Sequence, residues 1–556
     1  MVEHLGLSKL KDKKLLFATW SSDIKEYYQY RDWRPLLSKV FGTFISFSPR
    51  TNYLRYGREK MNKMFLDIVE KEKPDYILLS LSYDEFPPET FNKIRQISPK
   101  TKTINFFGDD DWRYDDWTRY YGHYIDYTLT AKKDLSLYKK EGIQKVSFFW
   151  GVNTSVLKKL DVKKEYDVTF IGSPVADRYD YIKFLKENKV NIKLFGPGWS
   201  DYADLKDIYQ GFLSSEDFVK VINQSKINLS FSKTFYNEGK KGQFKGRLFE
   251  VGACKAFQLV ESSPTLFGVF NKNPAINFDD KKELLEKINY YLKNEEKREQ
   301  GAEKVYDYVI KNYSWEAMFG ELFARIQKEE KSFKHSSLPT VKGKIIYLKE
   351  SFLNKNKEDF FKDLENYEYI GFEDNSIEID PNRANIQAYS LAVSKKDISI
   401  SDYYVHSNNM GDYLLFSSKK AFNTLPLESF RKLLIPGQIL VRKKYLLDNY
   451  ESFKNLFSED KLSQNIISKD NSVFISLPLI RTKKLKEIGY EEMLKAFQMK
   501  FRDRLYSEIY QKKIFLTPFV YSLIFGSLLK GQLFISKYLY KFAFNKDTWL
   551  KIKGKL

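Results

Sequence analysis

Cysteine is nearly absent from this chain. One thiol, Cys254, in 556 residues excludes a disulfide framework and any cysteine-based zinc site. Histidine is almost as scarce: His4, His123, His335 and His406 are scattered, none at the i, i+4 spacing of a helical metal pair. A transition-metal centre built by the protein, or any other metal cofactor, is therefore not expected. No G-x-x-x-x-G-K-[ST] loop occurs and no G-x-G-x-x-G follows the first apolar run, which disfavours P-loop and dinucleotide-dehydrogenase chemistry. Long apolar runs are missing too. Ile514–Leu529 is uncharged for 16 residues but contains Pro518 and Gly526, and it falls short of the about 20 apolar residues that a spanning helix needs. Met1–Lys14 has no apolar core of signal-peptide length, so a cytoplasmic location is expected.

What is present is ordinary globular material in quantity. The 42% hydrophobic and 30% charged residues exclude wholesale disorder, collagen-like repeats and a polytopic membrane protein, and the length suggests three or four units at about 150 residues each. Charge is uneven. The chain carries 93 − 73 = +20, and Lys500–Leu556 alone holds 12 Lys/Arg against 3 Asp/Glu, or +9. Such a bias points to an anionic partner: membrane headgroups, nucleic acid or nucleotide phosphates. The 17% aromatic content suits stacking on sugars or bases, and equally a codon bias toward Lys, Tyr, Phe, Ile and Asn.

The first half alternates short apolar runs with longer helical stretches, the pattern of a parallel sheet wound with helices. Strands are predicted at Leu15–Trp20, Phe44–Phe47, Tyr76–Leu81, Thr103–Phe107 and Val146–Phe149, with helices at Tyr27–Val40 and Arg58–Glu72. The pattern then restarts. Tyr166–Gly172 reads as a strand running into a glycine turn, and Ile192–Phe195 as a strand ending in Gly196-Pro197-Gly198. Ile227–Phe231 and Phe257–Glu261 complete the strands, Arg178–Asn188, Ser214–Gln224 and Arg247–Cys254 the helices, and Lys281–Lys331 closes the unit. Two consecutive doubly wound domains, 1–155 and 156–331, fit best. Lys331–Lys344 reads as a polar linker, followed by a mixed α/β region over 345–500 and a basic tail over 505–556.

The stretch that carries chemistry is Asn237–Glu250. It sets Gly239, Gly242 and Gly246 among Lys240, Lys241, Lys245 and Arg247, just before a helix. Glycines let backbone N–H groups approach an anion, a helix start favours negative charge, and Lys and Arg supply counter-charge for a diphosphate. Glu250, one turn beyond Arg247, suits the two hydroxyls of a ribose. The plain alternative is a basic surface loop with an ordinary Arg247–Glu250 helical ion pair.

Lys245-Gly-Arg-Leu-Phe-Glu-Val-Gly-Ala-Cys-Lys-Ala-Phe-Gln-Leu-Val-Glu261 resembles the signature helix of group-1 glycosyltransferases, in particular the spore-maturation (CgeB-like) branch. Phe149-Trp-Gly-Val-Asn-Thr resembles that family's crossing into its second domain. Asp167-Val-Thr-Phe-Ile-Gly-Ser and Ile227-Asn-Leu-Ser-Phe-Ser are similar to its donor-domain strands, and Thr103–Trp112 to a strand end of its first domain. The resemblance covers residues 15–330. It implies a GT-B fold of two Rossmann-like domains facing across a cleft, the second holding a nucleotide-sugar. Carried over, Glu250 binds the ribose, Arg247 with Lys245 the diphosphate, and Gly172, Ser173 and Gly196 lie under the donor. One position departs: where the family has glycine after the cysteine, at a turn favouring left-handed backbone, this chain has Lys255. Asp110, within the Asp109–Asp111 triplet at a predicted strand end, is the candidate base or acceptor contact, with His123 a second candidate. Asp84 and Glu85 end another strand and read as caps.

Tyr367–Pro381 with Asn382-Arg-Ala-Asn-Ile-Gln387, and Ile435–Lys443, resemble stretches of family-2-type GT-A glycosyltransferases. The metal-holding D-x-D of those enzymes reads Glu373-Asp374-Asn375 here, a weaker oxygen set, and the preceding part is too short to hold a nucleotide. The region reads as a truncated, inactive GT-A-like domain or as an unrelated α/β accessory domain. In the tail, Lys530, Lys537 and Lys541 share a helical face against Leu533, Phe534, Ile535, Tyr538, Leu539 and Phe542, which reads as a helix lying on an anionic leaflet. The whole is expected to be a metal-independent glycosyltransferase moving sugar from a nucleotide-sugar to a glycan, polysaccharide or lipid-linked acceptor, peripheral on the inner face of the cell membrane. No specific nucleic-acid partner is expected. The competing class is a non-catalytic scaffold or nucleic-acid-binding protein using the basic tail, although no RRM, OB, KH or helix-turn-helix signature occurs.

Overall fold

The computed structural model describes residues 5–20, 22–23, 28–81, 85–108, 110–232, 246–263, 275–353, 355–373, 377–407, 411–414, 434–454 and 466–482. The tail expected over 505–556, and Asp84, Asp109, Lys245, Asp374 and Asn375, lie outside them.

Both doubly wound sheets form. The first runs β1 (Lys14–Thr19), β2 (Thr43–Ser46), β3 (Tyr76–Ser80), β4 (Lys102–Phe107), β5 (Tyr127–Thr130) and β6 (Val146–Phe148), ordered β2-β1-β3-β4-β5-β6 and parallel throughout. Its central strands are buried at every position, as helices on both faces require. The sequence expectation lacks β5: Tyr-Thr-Leu-Thr is four residues with three hydroxyls, too short and polar for an apolar-run criterion. The second sheet runs β7 (Tyr166–Ile171), β8 (Ile192–Phe195), β9 (Ser225–Ser230), β10 (Gln258–Glu261) and β11 (Ile276–Phe278), ordered β11-β10-β9-β7-β8 and again parallel. Strand order reverses between β1 and β3 in the first sheet and between β7 and β9 in the second, so each has a crevice beyond its strand C-termini.

Aromatic packing joins the two sheets. The helix Trp315–Lys328, capped by Ser314 accepting from the Ala317 N–H, leaves the second sheet and returns onto the first. Phe319 meets Trp33 edge-on at 5.5 Å, and Phe323 meets Phe41 and Tyr76, each at 5.3 Å. Each such side chain buried contributes about 1.5–3 kcal/mol and each favourable ring pair about 0.5–1.5 more. The crossing segment is pinned at the same place: the Val152 N–H donates to Tyr313 O at 2.8 Å and the Trp315 N–H to Val152 O at 3.0 Å. Gly151 is glycine for a steric reason, since a Cβ there would stand 2.7 Å from the Trp315 ring.

The polar stretch expected as a free linker starts docked. Phe333 stacks on Tyr127, His335 Nδ1 lies 3.0 Å from the buried Asp126 Oδ1, and the Ser336 N–H donates to the same oxygen.

A second compact unit gathers residues 49–67, 83–93 and 337–556, whereas 1–48, 68–82 and 94–336 form the first. The contiguous blocks expected from sequence do not anticipate this exchange. Within the second unit the Asn92 Nδ2 donates to Asn382 Oδ1 at 3.1 Å, and the Asn382 Nδ2 donates to Glu89 Oε2 at 3.2 Å. Its sheet mixes parallel and antiparallel pairs: β12 (Ile345–Leu348), β13 (Tyr369–Phe372), β14 (Ile377–Ile379), β15 (Ile398–Ser407), β17 (Ile439–Arg442) and β18 (Ser472–Thr482) lie in the order β12-β13-β17-β15-β18-β14, with β16 (Gly411–Leu414) paired to β15. Glu373, the described member of the triplet that stands where family-2-type enzymes have D-x-D, follows β13 directly.

Candidate active site

The crevice of the second sheet is built from short side chains and guanidinium groups. β7 ends at Ile171 and passes into Gly172 and Ser173, and β8 ends at Phe195 and passes into Gly196. These turns touch backbone to backbone. Gly196 has φ +115°, and a Cβ there would stand 2.7 Å from Gly172 O, so only glycine fits. The Trp199 Nε1 donates to Gly172 O at 2.7 Å and locks the turn.

Between β7 and β9 stands an arginine that sequence reasoning did not select. Arg178 donates through Nη1 to Ser173 O at 3.0 Å and through Nη2 to Phe231 O at 3.4 Å, with its guanidinium over the Phe170 ring. It thereby spans the two strand ends that flank the switch point. Burial pushes its pKa down to about 10, against the pull of Glu261, so it stays cationic at neutral pH. Glu261, at the end of β10, accepts from the Ser232 N–H at 2.9 Å and from Ser232 Oγ at 3.2 Å.

The helix Arg247–Ala253 is two turns long, so its charged side chains matter more here than its dipole. Arg247 donates through Nη1 to Glu250 Oε2 at 2.9 Å and through Nη2 to Ile171 O at 3.2 Å. The first bond is the helical ion pair of the plain reading. The second ties that pair to the end of β7, beside Gly172, which a free surface loop would not require. Both side chains keep about a quarter of their surface open, at 23% and 28%. Phe218 lies under the Arg247 guanidinium at 4.4 Å. Gly172, Ser173, Gly196, Arg247 and Glu250 thus gather on one sheet edge, while Lys245 lies outside the described residues. Lys255 is left-handed at φ +51°, the geometry expected where the family has glycine, and pairs with Glu303.

The two candidates on the first sheet are not brought together. Asp110 follows β4 at its C-terminal edge but is buried, accepting from Thr118 Oγ1 and, at 2.6 Å, from Tyr138 Oη. Tyr138 Oη in turn lies 3.0 Å from Thr130 Oγ1 at the end of β5. Desolvation raises the Asp110 carboxyl to about 6 against these hydrogen bonds. An acceptor hydroxyl would have to displace one of them to reach it, so the structure gives Asp110 the place of a brace rather than an open base. His123 is buried four residues before β5, at the opposite edge of the sheet from Asp110. Among the described residues there is no group of three or more His, Cys, Asp or Glu side chains placed to hold a metal. Also among the described residues, no helix is long and apolar enough to cross a membrane.

The arrangement, two parallel Rossmann-like sheets sharing a return helix with charged side chains at the switch point of the second, is a GT-B-like fold. Residues 178–324 match the family model described as "Glycosyl transferase-like". The chain is 23% identical over 217 residues to the spore protein CgeB of Bacillus subtilis, a match spanning 36% of this chain and 67% of that protein. Among solved structures it is similar to Anabaena HepE in complex with UDP and glucose, at 10% identity, 57% and 99% coverage and TM-score 0.41. Sucrose-phosphate synthase from Thermosynechococcus elongatus aligns at 10% identity, 58% and 100% coverage and TM-score 0.42. Residues 178–324 are thus similar to glycosyltransferases, and the wider sequence similarity is to the CgeB protein.

Proposed function

We propose that the chain transfers a sugar from a nucleotide-sugar to a glycan, polysaccharide or lipid-linked acceptor without a bound metal. The observation that carries this reading is the Arg247–Glu250 pair, about a quarter exposed and tied to the end of β7 beside Gly172. In it, Arg247 and Lys245 meet the diphosphate, Glu250 takes the ribose hydroxyls, and Gly172, Ser173 and Gly196 leave room for the donor. The anomeric C–O bond breaks with its electron pair staying on the diphosphate, the acceptor oxygen bonds to the anomeric carbon, and the acceptor proton passes to a base or to the departing phosphate. Guanidinium charge offsets the charge that develops, the task a divalent cation performs elsewhere. Arg178 acts through the backbone by fixing the spacing of β7 and β9, and Asp110 by bracing the strand ends of the first sheet. The excess of +9 in residues 500–556 supports a place on the anionic inner face of a membrane.

Turnover tests this directly. Full-length protein given a panel of nucleotide-sugars should hydrolyse one of them slowly with EDTA present, and Arg247→Ala should abolish the reaction. Activity lost in EDTA and restored by Mg²⁺ or Mn²⁺ would overturn metal independence, and no turnover of any donor would overturn the transferase reading.

A further inference from the structure

The segment after β1 holds a charged pair that the reading above leaves unused. Arg31 grips Asp32 with two parallel bonds, Nε to Oδ1 at 2.6 Å and Nη2 to Oδ2 at 2.8 Å. Asp32 is buried and its Oδ1 also accepts from Asn153 Nδ2 at 3.2 Å, so the crossing segment between the sheets helps to hold it. The Arg31 side chain is 22% exposed, and Nη1 takes no part in these bonds.

Trp150 lies between the segment that carries this pair and the start of the Arg247 helix. Its indole lies 5.8 Å from the Tyr28 ring, three residues before Arg31. Gly246 is pressed so close to the same indole that a Cβ would stand 2.4 Å from it. Gly246 immediately precedes Arg247, so one indole separates the Arg31 segment from the start of the Arg247 helix. Glu250 lies within electrostatic reach of Arg31. A guanidinium from the first sheet therefore lies in the neighbourhood of the Arg247–Glu250 pair of the second.

We propose that Arg31 is a further donor-phosphate contact, delivered from the first sheet and pre-oriented by Asp32 and Asn153. The inference rests on the nucleotide-sugar reading of the Arg247–Glu250 site. The fork that Asp32 holds leaves Nη1 to meet diphosphate oxygens, which gain one further negative charge as the anomeric bond breaks. Because Asp32 is tied to the crossing segment, Arg31 contacts the donor only with the two sheets in register.

The test is calorimetric titration of the full chain with UDP, GDP and ADP and with the matching nucleosides, for the parent and for Arg31→Gln, Arg31→Lys and Asp32→Asn. Arg31→Gln should weaken the bound diphosphate at least tenfold and its nucleoside less than twofold, with both titrated well below the variant's melting temperature, which falls with the loss of the Asp32 pair. Arg31→Lys should recover part of the loss, and Asp32→Asn should cost about threefold. Equal effects on diphosphate and nucleoside, or no effect on either, would overturn the assignment while leaving the Arg247–Glu250 reading in place. A parent protein that binds no nucleotide would overturn both.

Discussion

Arg247 and Arg383 make the same chemistry serve two ends. Arg247 stands at the switch point of the second sheet with 23% of its side chain exposed, one bond to a carboxylate and one to a strand-end carbonyl. Arg383, in the third region, is fully buried. It donates to Gln387 Oε1 at 2.8 Å and to the carbonyls of Phe372 and Ile439, each at 3.3 Å, with its guanidinium over the Tyr347 ring. Gln387 extends the brace to Ser399 O and Gln438 O. An arginine whose partners are carbonyls of neighbouring strands ties strands together. One with an open flank beside a glycine turn keeps capacity for a ligand. Both belong to stretches that resemble glycosyltransferase motifs, so the motif alone does not separate site from brace. Burial and partner type do.

The largest effect expected from that contrast falls on the brace. Arg383→Ala leaves Gln387 and two buried carbonyls without their donor and should destabilise the third region by about 3–5 kcal/mol, read as an early transition in thermal or denaturant unfolding. If the melt is unchanged, the brace assignment fails. Next comes the site: Arg247→Ala should weaken diphosphate binding by about a hundredfold, or ~2.7 kcal/mol, with stability nearly kept. A loss of stability without a loss of binding would make Arg247 a second brace and erase the distinction.

Asp110 sharpens it on the first sheet. Its folded pKa of about 6 lies above the ordinary value of 3.8, so the native state holds its proton more tightly than the unfolded chain. Its stabilising contribution is complete below about pH 4 and is lost as pH rises through 6, amounting to about 2–3 kcal/mol. Denaturant unfolding from pH 4 to 7 should show this fall in the parent and a flatter profile in Asp110→Asn. Matching slopes would remove Asp110 from the account. The smallest effect concerns Lys255, a lysine at φ +51°. Lys255→Gly should stabilise by about 0.5–1 kcal/mol as left-handed strain is relieved, less the loss of its Glu303 pair, and a drop in melting temperature would contradict this.

Much of the architecture is legible along the chain because it is local. Apolar runs ending in glycine mark β7 and β8, and Ser214 with acids one turn later marks a cap that the Asp217 N–H fills. Gly196 and Lys255 are legible as turn positions. What the sequence conceals is set by long-range packing. β5 gives no local apolar run, and nothing local places residues 49–67 and 83–93 with the third region. Arg178 reads as an ordinary helix start until Ser173 and Phe231 are brought to either side of it. Arg31 and Asp32 carry no local signal, and the Asn153 bond that helps to hold Asp32 comes from 121 positions away. Asp110 was visible as an acid at a strand end, but its engagement by Thr118 and Tyr138 depends on a residue 28 positions away.

The central claim is that the crevice beside Arg247 and Glu250 holds a nucleotide-sugar. Equilibrium binding of the full chain to a panel of nucleotide-sugars in EDTA, beside Glu250→Ala, tests it most directly. The account predicts one donor held selectively by the parent and at least tenfold more weakly by the variant. Equal affinity in both, or no affinity for any donor, would contradict it.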